Sequence, residues 1–295
     1  MYPVLFTIPG LGLPIYTFGL MFALAFLLGS LLLERLAKKF GDDPVNDPAR
    51  YANLSIWVLV GIVLGARFMY CAIHTEEFTT TADGRKPGVF ELIIHLLSVW
   101  KGGLVFYGGF ILAFLLGLWK LKAYKLRVWH AADLVMIAGF FGLGIGRIGC
   151  LLVGDDHGRI CSESLPFPLA IRVPDPLHPN ALFDAALAGK NVYATQIYMM
   201  VNGFGLAALG YWILKNRKFP GQATFAMTAI YAVTRGIIEY FRGDDIARGF
   251  TETDIFGPTV RLYTSVKVGL VLLPVSLLMY FWLRSQWKNK QTAIA

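Results

Sequence analysis

The residues best placed to do chemistry in this chain are cations set in apolar surroundings. Arg67, Arg147, Arg235, Arg242 and Lys267 each fall within a stretch that is otherwise apolar. On insertion scales a charge at the centre of a bilayer costs about 2.5–3.5 kcal/mol, so an ionisable group at that depth is a functional candidate by default. Near a helix end, Arg and Lys can also snorkel to the interface. Five such residues biased to one side point instead to a shared anionic ligand. Arg235, Glu239 and Arg242 are spaced i, i+4, i+7, so one helix face carries all three, with Tyr231 on the same stripe. Glu239 can pair with one arginine and hold the geometry of the other. A guanidinium fork suits a phosphate bidentately. The expected site is a net cationic cavity for a phospholipid headgroup or another phosphorylated substrate.

Two Gly-rich runs add to this set. Lys101-Gly-Gly-Leu-Val-Phe-Tyr-Gly-Gly109 places Tyr107 as the polar side chain between two glycine pairs. Small residues of this kind let helices pack closely, and an interfacial Tyr is common. The second run extends from Gly142 to Gly158 and contains Arg147, Cys150, Asp155, Asp156 and His157. Its six glycines predict a weak helix that breaks near its outer end. Backbone N–H groups freed there would join Arg147 in binding an anion. It is not a dinucleotide fingerprint, because no βαβ context surrounds it. His157, beside two Asp residues, is a weak acid–base candidate, whereas His130 and His178 read as structural or interfacial. Three cysteines, Cys71, Cys150 and Cys161, make no disulfide framework and no metal pattern. For Cys150 and Cys161 a disulfide, a reactive thiol and a small buried side chain all stay open. No metal and no cofactor is expected.

The elements that must position these residues follow from composition. Of 295 residues, 56% are hydrophobic and only 16% charged, against roughly 25% charged in soluble domains. Mean hydropathy is +0.57. A soluble fold could not cover that much apolar surface, so an all-α integral membrane protein is expected. A crossing helix needs about 20 apolar residues. Seven stretches qualify: Ile15–Leu33, Leu54–Ile73, Leu104–Leu121, Ala131–Val153, Val192–Leu214, Ala223–Phe241 and Tyr263–Leu283. Val89–Trp100 is too short to span and reads as interfacial or re-entrant. The first 14 residues lack a positive segment and contain three prolines, so no cleavable signal is expected. The chain is expected to form one polytopic membrane domain over 1–295. Residues 154–191 form a small periplasmic cap inserted between spans four and five.

Orientation follows from Lys and Arg in the loops. With the N-terminus outside, the inner loops (34–53, 120–130, 215–222 and 284–295) hold 14 cations in short segments, whereas the longer outer loops hold 8. The bias predicts an outer N-terminus and a cytoplasmic C-terminus. The five cations within spans then all lie on the outward side. The net charge of +8 is thereby explained by address and site, with no call for nucleic acid.

Taken together, the motifs resemble those of the prolipoprotein diacylglyceryl transferases. The run Gly146-Arg147-Ile148-Gly149-Cys150 through Gly154-Asp155-Asp156-His157-Gly158 resembles the family signature. Phe18-Gly19-Leu20-Met21, Gly65-Ala66-Arg67, Gly102-Gly103 with Tyr107-Gly108-Gly109, Thr195-Gln196-Ile197-Tyr198, Arg235 through Asp244, and Tyr263-Thr264-Ser265 fall in the family's order. The resemblance covers nearly the whole chain.

It implies a transferase of the bacterial cytoplasmic membrane whose active site faces the outer leaflet. The enzyme would move the diacylglyceryl group of phosphatidylglycerol to the lipobox Cys thiol of preprolipoprotein signal peptides and release glycerol-1-phosphate. Its partners would be phosphatidylglycerol, those peptides and membrane lipids. The resemblance assigns catalysis to Arg147, Arg235, Glu239, Arg242 and Tyr107. It assigns phosphatidylglycerol binding to Arg147, Gly158, Asp155, Arg242, Cys150 and Arg67. Four positions depart from the family pattern. Tyr107 stands where many members have His, Cys150 where many have Asn, Asp155 where Glu is usual, and Phe18 where a Tyr is usual, with Tyr16 two positions away. A tyrosine with an ordinary pKa near 10 is a poor base at neutral pH, so thiol activation must be electrostatic or fall to His157 or an acidic residue. Two alternative readings are a lipid-binding paralogue without activity and a transporter of an anionic phosphorylated solute.

Overall fold

The computed structural model describes residues 2–7, 9–10, 14–79, 88, 90, 94, 103, 105–244, 250–254 and 259–292. Seven long helices coincide with the seven expected stretches. They are α1 (Thr17–Phe40), α2 (Asp47–Ile73), α3 (Phe106–Ala123), α4 (Val128–Val153), α5 (Thr195–Lys215), α6 (Gln222–Glu239) and α7 (Thr264–Thr292). Six of them are long and apolar enough to cross a membrane; α6 is the exception. Its 18 residues include Gln222, Thr224, Thr228, Thr234, Arg235 and Glu239, which dilute the apolar signal. The protein is an all-α integral membrane protein. The stretch Val89–Trp100 falls almost wholly outside the described residues.

Element ends differ from the apolar stretches for physical reasons. Helix α2 starts seven residues early because Asp47 and Pro48 open it, an acid at the positive helix end and a Pro that needs no N–H there. Helix α5 starts late because Asn191–Tyr193 is a strand, paired antiparallel with Ala170–Arg172. Helix α1 starts after a hairpin strand, Pro14–Tyr16, which pairs with Val4–Thr7. A third hairpin joins Phe250–Asp254 to Thr259–Tyr263 just before α7.

The chain divides into two compact units, residues 1–32 with 132–295, and residues 33–131. In the second unit, α2 and α3 lie backbone to backbone. A Cβ added at Gly65 would come within 2.3 Å of the Gly108 carbonyl oxygen, and one at Gly108 would meet that of Gly65 at the same distance. Small residues are what permits that approach.

In the first unit, the break expected in the Gly-rich run falls late in it, at Gly154. Helix α4 continues through Gly142, Gly144, Gly146 and Gly149 to Val153. Those glycines serve packing instead: a Cβ on Gly144 would meet the Phe204 ring at 2.6 Å, and one on Gly149 would meet Met21 at 2.9 Å. The helix ends at Gly154, whose φ of +86° suits glycine. The N–H groups of Gly154 and Asp155 both donate to the Cys150 carbonyl, at 2.9 and 3.0 Å. They are therefore satisfied inside the chain and do not form the anticipated anion nest.

Helix α6 carries two of the expected site residues, and its start is pinned from α4. Asp133 is fully buried. Its Oδ1 accepts from Thr224 N (2.8 Å) and Thr224 Oγ1 (2.9 Å), and its Oδ2 accepts from Gly221 N (2.8 Å). Arg217 lies 3.4 Å from the same carboxylate. A carboxylate at a helix N-terminus satisfies orphan donors and meets the positive end of the dipole, here delivered by a neighbouring helix. Asp133→Ala should therefore lower unfolding stability in detergent by about 1–3 kcal/mol, the cost of leaving buried donors unmet. Asp133→Asn, which keeps one oxygen acceptor, should lose less; differential scanning fluorimetry of the two variants checks both.

Candidate active site

Residues just past the ends of α4 and α6 build the site. Backbone pairing fixes one segment against the other. Gly158 and Arg242 form an antiparallel bridge. Gly243 N donates to His157 O at 3.0 Å, and Arg159 N donates to Phe241 O at 2.9 Å. The approach is close enough that a Cβ on Gly158 would lie 2.2 Å from the Tyr193 carbonyl oxygen. The start of α5 adds two clamps. Thr195 Oγ1 donates to the Asp156 carbonyl (2.7 Å) and Gln196 Nε2 to the Asp155 carbonyl (2.8 Å). Both clamping residues are buried. Asp156 itself adopts φ +54°.

The side chains of this framework form a charge cluster. Asp156 accepts from Arg147 through one oxygen and from Arg242 through the other. Arg242 also engages Asp244 bidentately, its Nε donating to Oδ1 at 2.9 Å and its Nη2 to Oδ2. Glu239, 2% exposed, pairs with Arg235 at 2.5 Å along α6. Arg235 stands within electrostatic reach of Arg147 and Arg242. Cys150 Sγ lies 3.9 Å from Arg147 Nη1. Sequence reasoning thus placed Arg147, Arg235, Glu239, Arg242, Asp155, Gly158 and Cys150 on segments that the fold does bring together.

Two features differ from expectation. The site is not a net cationic cavity. Three guanidiniums, of Arg147, Arg235 and Arg242, stand against four carboxylates, of Asp155, Asp156, Glu239 and Asp244. The reason is burial: a guanidinium withdrawn from water needs a counter-charge. The residue that organises the cluster is Asp156, which the sequence marks only as a neighbour of His157. The available signal was two successive acids eight and nine residues after an intramembrane arginine.

Arg67 and Tyr107 belong to the second unit. Arg67 is buried, donates through Nη1 to Gly103 O at 3.2 Å and lies over the Tyr70 and Phe78 rings at 5.4 and 5.5 Å. Tyr107 is exposed in the first turn of α3, edge-on to Phe106. His157 is buried, its ring stacked on Phe183 and its Nδ1 3.0 Å from Gly158 O, so Nδ1 donates. That ring backs onto the small core of Val173, Phe183 and Val192. Cys71, Cys150 and Cys161 are all free thiols.

Titration and metal affinity follow from the cluster. Asp155 and Asp156 lie beyond the end of α4. For Asp156, burial raises the carboxyl pKa, but Arg147 and Arg242 outweigh it and hold the group below the usual range. For Asp155, burial comes first and the adjacent Asp156 charge second, and the carboxyl is pushed up. Cys150 Sγ and the two carboxylates all lie within 4.8 Å of one another. These are metal-ligating atoms, yet two guanidiniums already neutralise Asp156 and would repel a cation. The set fits anion recognition better. Arg147 spends Nη1 on Asp156, while its Nε and Nη2 make no hydrogen bond among the described residues. Those N–H groups can donate to a phosphate oxygen.

Comparison with known proteins gives the same direction. The family model described as Prolipoprotein diacylglyceryl transferase matches residues 3–285. A Vibrio vulnificus protein named Phosphatidylglycerol--prolipoprotein diacylglyceryl transferase is 26% identical over 290 residues, covering 98% of this chain and 95% of its own. A Campylobacter curvus protein of the same name is 29% identical over 297 residues, covering 97% and 95%. One from Rhodopseudomonas palustris is 29% identical over 256 residues, covering 85% and 80%.

The shared carboxylate makes a prediction. Asp156→Asn leaves Arg147 and Arg242 facing each other with their common counter-charge gone, and should cost about 1.5–3 kcal/mol, the range for hydrogen bonds to charged groups. The sign with pH is fixed as well. A depressed carboxyl stabilises fully above the unfolded value of about 3.9 and loses that contribution as pH falls below it through the folded value. The gap between wild type and Asp156→Asn, measured by thermal unfolding in detergent, should therefore narrow on going from neutral pH to about pH 3.

Proposed function

The chain belongs to the prolipoprotein diacylglyceryl transferase family, and from that premise we propose its reaction: transfer of the diacylglyceryl group of phosphatidylglycerol to the lipobox cysteine thiol of a preprolipoprotein, with release of glycerol-1-phosphate. The protein is a multi-pass membrane transferase. Support for the finer statement comes from one observation above all, the open Nε and Nη2 donors of Arg147 next to an Arg242 held by the same carboxylate.

The chemistry needs such a pair. Displacement at the glyceryl C3 carbon expels a phosphate ester, and its charge grows as the C–O bond breaks. Fixed N–H donors aimed at that oxygen lower the barrier because they need not reorganise. Arg147 offers its unused donors to the phosphate, and Asp156 keeps Arg147 and Arg242 in register. Arg235 and Glu239, paired along α6, supply the adjoining wall. Gly158 packs on the Tyr193 backbone and bridges to Arg242, and Gly243, where a Cβ would come within 2.7 Å of the Arg159 backbone, allows the close approach that carries Arg242 to the site. The nucleophile is the substrate's own thiol, which attacks as thiolate. The bias of Lys and Arg toward the expected inner loops supports a site on the outer leaflet of the bacterial cytoplasmic membrane.

The test is direct. Purified protein, incubated with a lipobox peptide in phosphatidylglycerol micelles, should yield a diacylglyceryl thioether peptide by mass spectrometry. Its absence with wild-type protein overturns the proposal. Binding of phosphatidylglycerol without release of glycerol-1-phosphate would mark a lipid-binding paralogue, and flux of a phosphorylated solute in proteoliposomes a transporter. Arg147→Ala and Arg242→Ala should each lower turnover by about 10²–10³, the usual effect of removing one charge-stabilising donor. Lys122→Ala, an exposed change in the last turn of α3, should leave turnover at the wild-type level.

A further inference from the structure

We propose that Asp155 accepts the proton of the attacking thiol, and that the cavity it lines is where that thiol is delivered. The inference rests on the transferase reading and identifies the base that reading leaves open.

The cavity has a volume of about 480 Å³ and lies within the first unit. Its walls include Tyr16 and Phe18 at the start of α1, Val153 at the end of α4, and Asn180 and Leu182 from the segment after it. These are mostly apolar surfaces, suited to an uncharged peptide segment that carries a thiol. Among the described residues that line it, Asp155 is the one charged side chain.

The two adjacent acids have divided their tasks. Asp156 is committed to Arg147 and Arg242. Asp155 makes no ion pair among the described residues. Its Oδ1 accepts from Asp156 N at 2.9 Å, and its Oδ2 has no hydrogen-bond partner there. Gln196 holds the Asp155 carbonyl and Cys150 O receives its N–H, so the backbone under the carboxylate is fixed. The charged and titratable groups that face it are Asp156, Arg147, Asp244, Cys150 and, across the cavity, Tyr16. Burial and Asp156 raise its proton affinity, while Arg147 opposes them. A carboxylate with raised affinity is a better base near neutral pH. The Asp155 and Asp156 carboxylates lie within 4.8 Å of each other. A thiol at Asp155 and a phosphate at the arginines would thus lie close enough to meet at one carbon. His157 is committed to Gly158 O and stacked on Phe183, which leaves Asp155 as the group facing this space.

The step balances. The S–H proton passes to Asp155 Oδ2. The sulfur lone pair forms the S–C bond at glyceryl C3. The C–O bonding pair leaves on the phosphate oxygen, turning a monoanionic diester into dianionic glycerol-1-phosphate. Asp155 then releases its proton to water.

The experiment compares wild type, Asp155→Asn and Asp155→Glu in phosphatidylglycerol micelles, with Cys and selenocysteine lipobox peptides, across about pH 6 to 9. With the Cys peptide near neutral pH, Asp155→Asn should lose about 10²–10⁴ in turnover, the usual worth of a general base. Its KM for phosphatidylglycerol should stay within about twofold, because uniform binding is untouched. Its rate should climb about tenfold per pH unit until the substrate thiol ionises near 8.5. The selenocysteine peptide, already ionised at neutral pH, should recover most of the lost rate, and Asp155→Glu should keep a measurable rate with the Cys peptide. An Asp155→Asn loss that is equal at every pH and for both peptides, or no loss at all, overturns the assignment. A wild type that makes no thioether overturns the parent reading, and this inference falls with it.

Discussion

One carboxylate holds the site together. Asp156 receives Arg147 from α4 on one oxygen and Arg242, from beyond α6, on the other. Arginines at the ends of apolar helices would repel each other and cost desolvation unless a counter-charge is supplied. A single Asp in the turn after α4 does this for both. Most of the local architecture can be read as a means of placing that carboxylate: the glycine stop at Gly154, the left-handed φ of Asp156, the Thr195 and Gln196 clamps on its backbone, and the strand-like bridge from Gly158 to Arg242.

The same constraint explains the division between rigid and chemical parts. Helix α4 is packed by glycines against Phe204 and Met21, and its buried Asp133 caps α6. Helix α6 is therefore registered at its start by one acid of α4's polypeptide, and the residues beyond its end are gripped by another acid just past α4. Arg235 and Glu239 ride between these two fixed points. The precision that charge stabilisation demands comes from backbone hydrogen bonds and helix contacts, with side-chain ion pairs added on top.

The helices and most of the arginine set were legible in the sequence because both rest on one-dimensional signals. Apolar length gives a span, and a charge inside it stands out. The charge balance of the site was not legible. Arg242 and Asp156 are 86 residues apart, and nothing in local spacing announces their contact. That the Gly-rich run stays helical as far as Val153 was not legible for a similar reason. Glycine lowers helix propensity by about 1 kcal/mol per residue, so six of them suggest a weak helix. Tertiary packing reverses that preference, since Gly144 and Gly149 are needed to admit Phe204 and Met21. The hairpin that delays α5 also depended on a distant partner, Ala170–Arg172, and so lay beyond local reading.

The charge count has a consequence for how a phosphate would enter. With Arg242 engaged by both Asp156 and Asp244, and Arg235 by Glu239, the cluster is already compensated. A phosphate diester adding to it would bring a further negative charge next to Asp156. Two features ease that entry. Arg147 keeps donors in reserve, so a phosphate oxygen can bind without breaking the Asp156 pair. Asp155 has a raised carboxyl, so it can be neutralised by a proton more readily than an ordinary carboxylate. If that proton is the one removed from the attacking thiol, neutralisation of Asp155 coincides with the growth of charge on the departing phosphate. The compensated resting site and the charge-separating step are then two states of one electrostatic balance, in which a proton on Asp155 offsets the negative charge gained at the arginines.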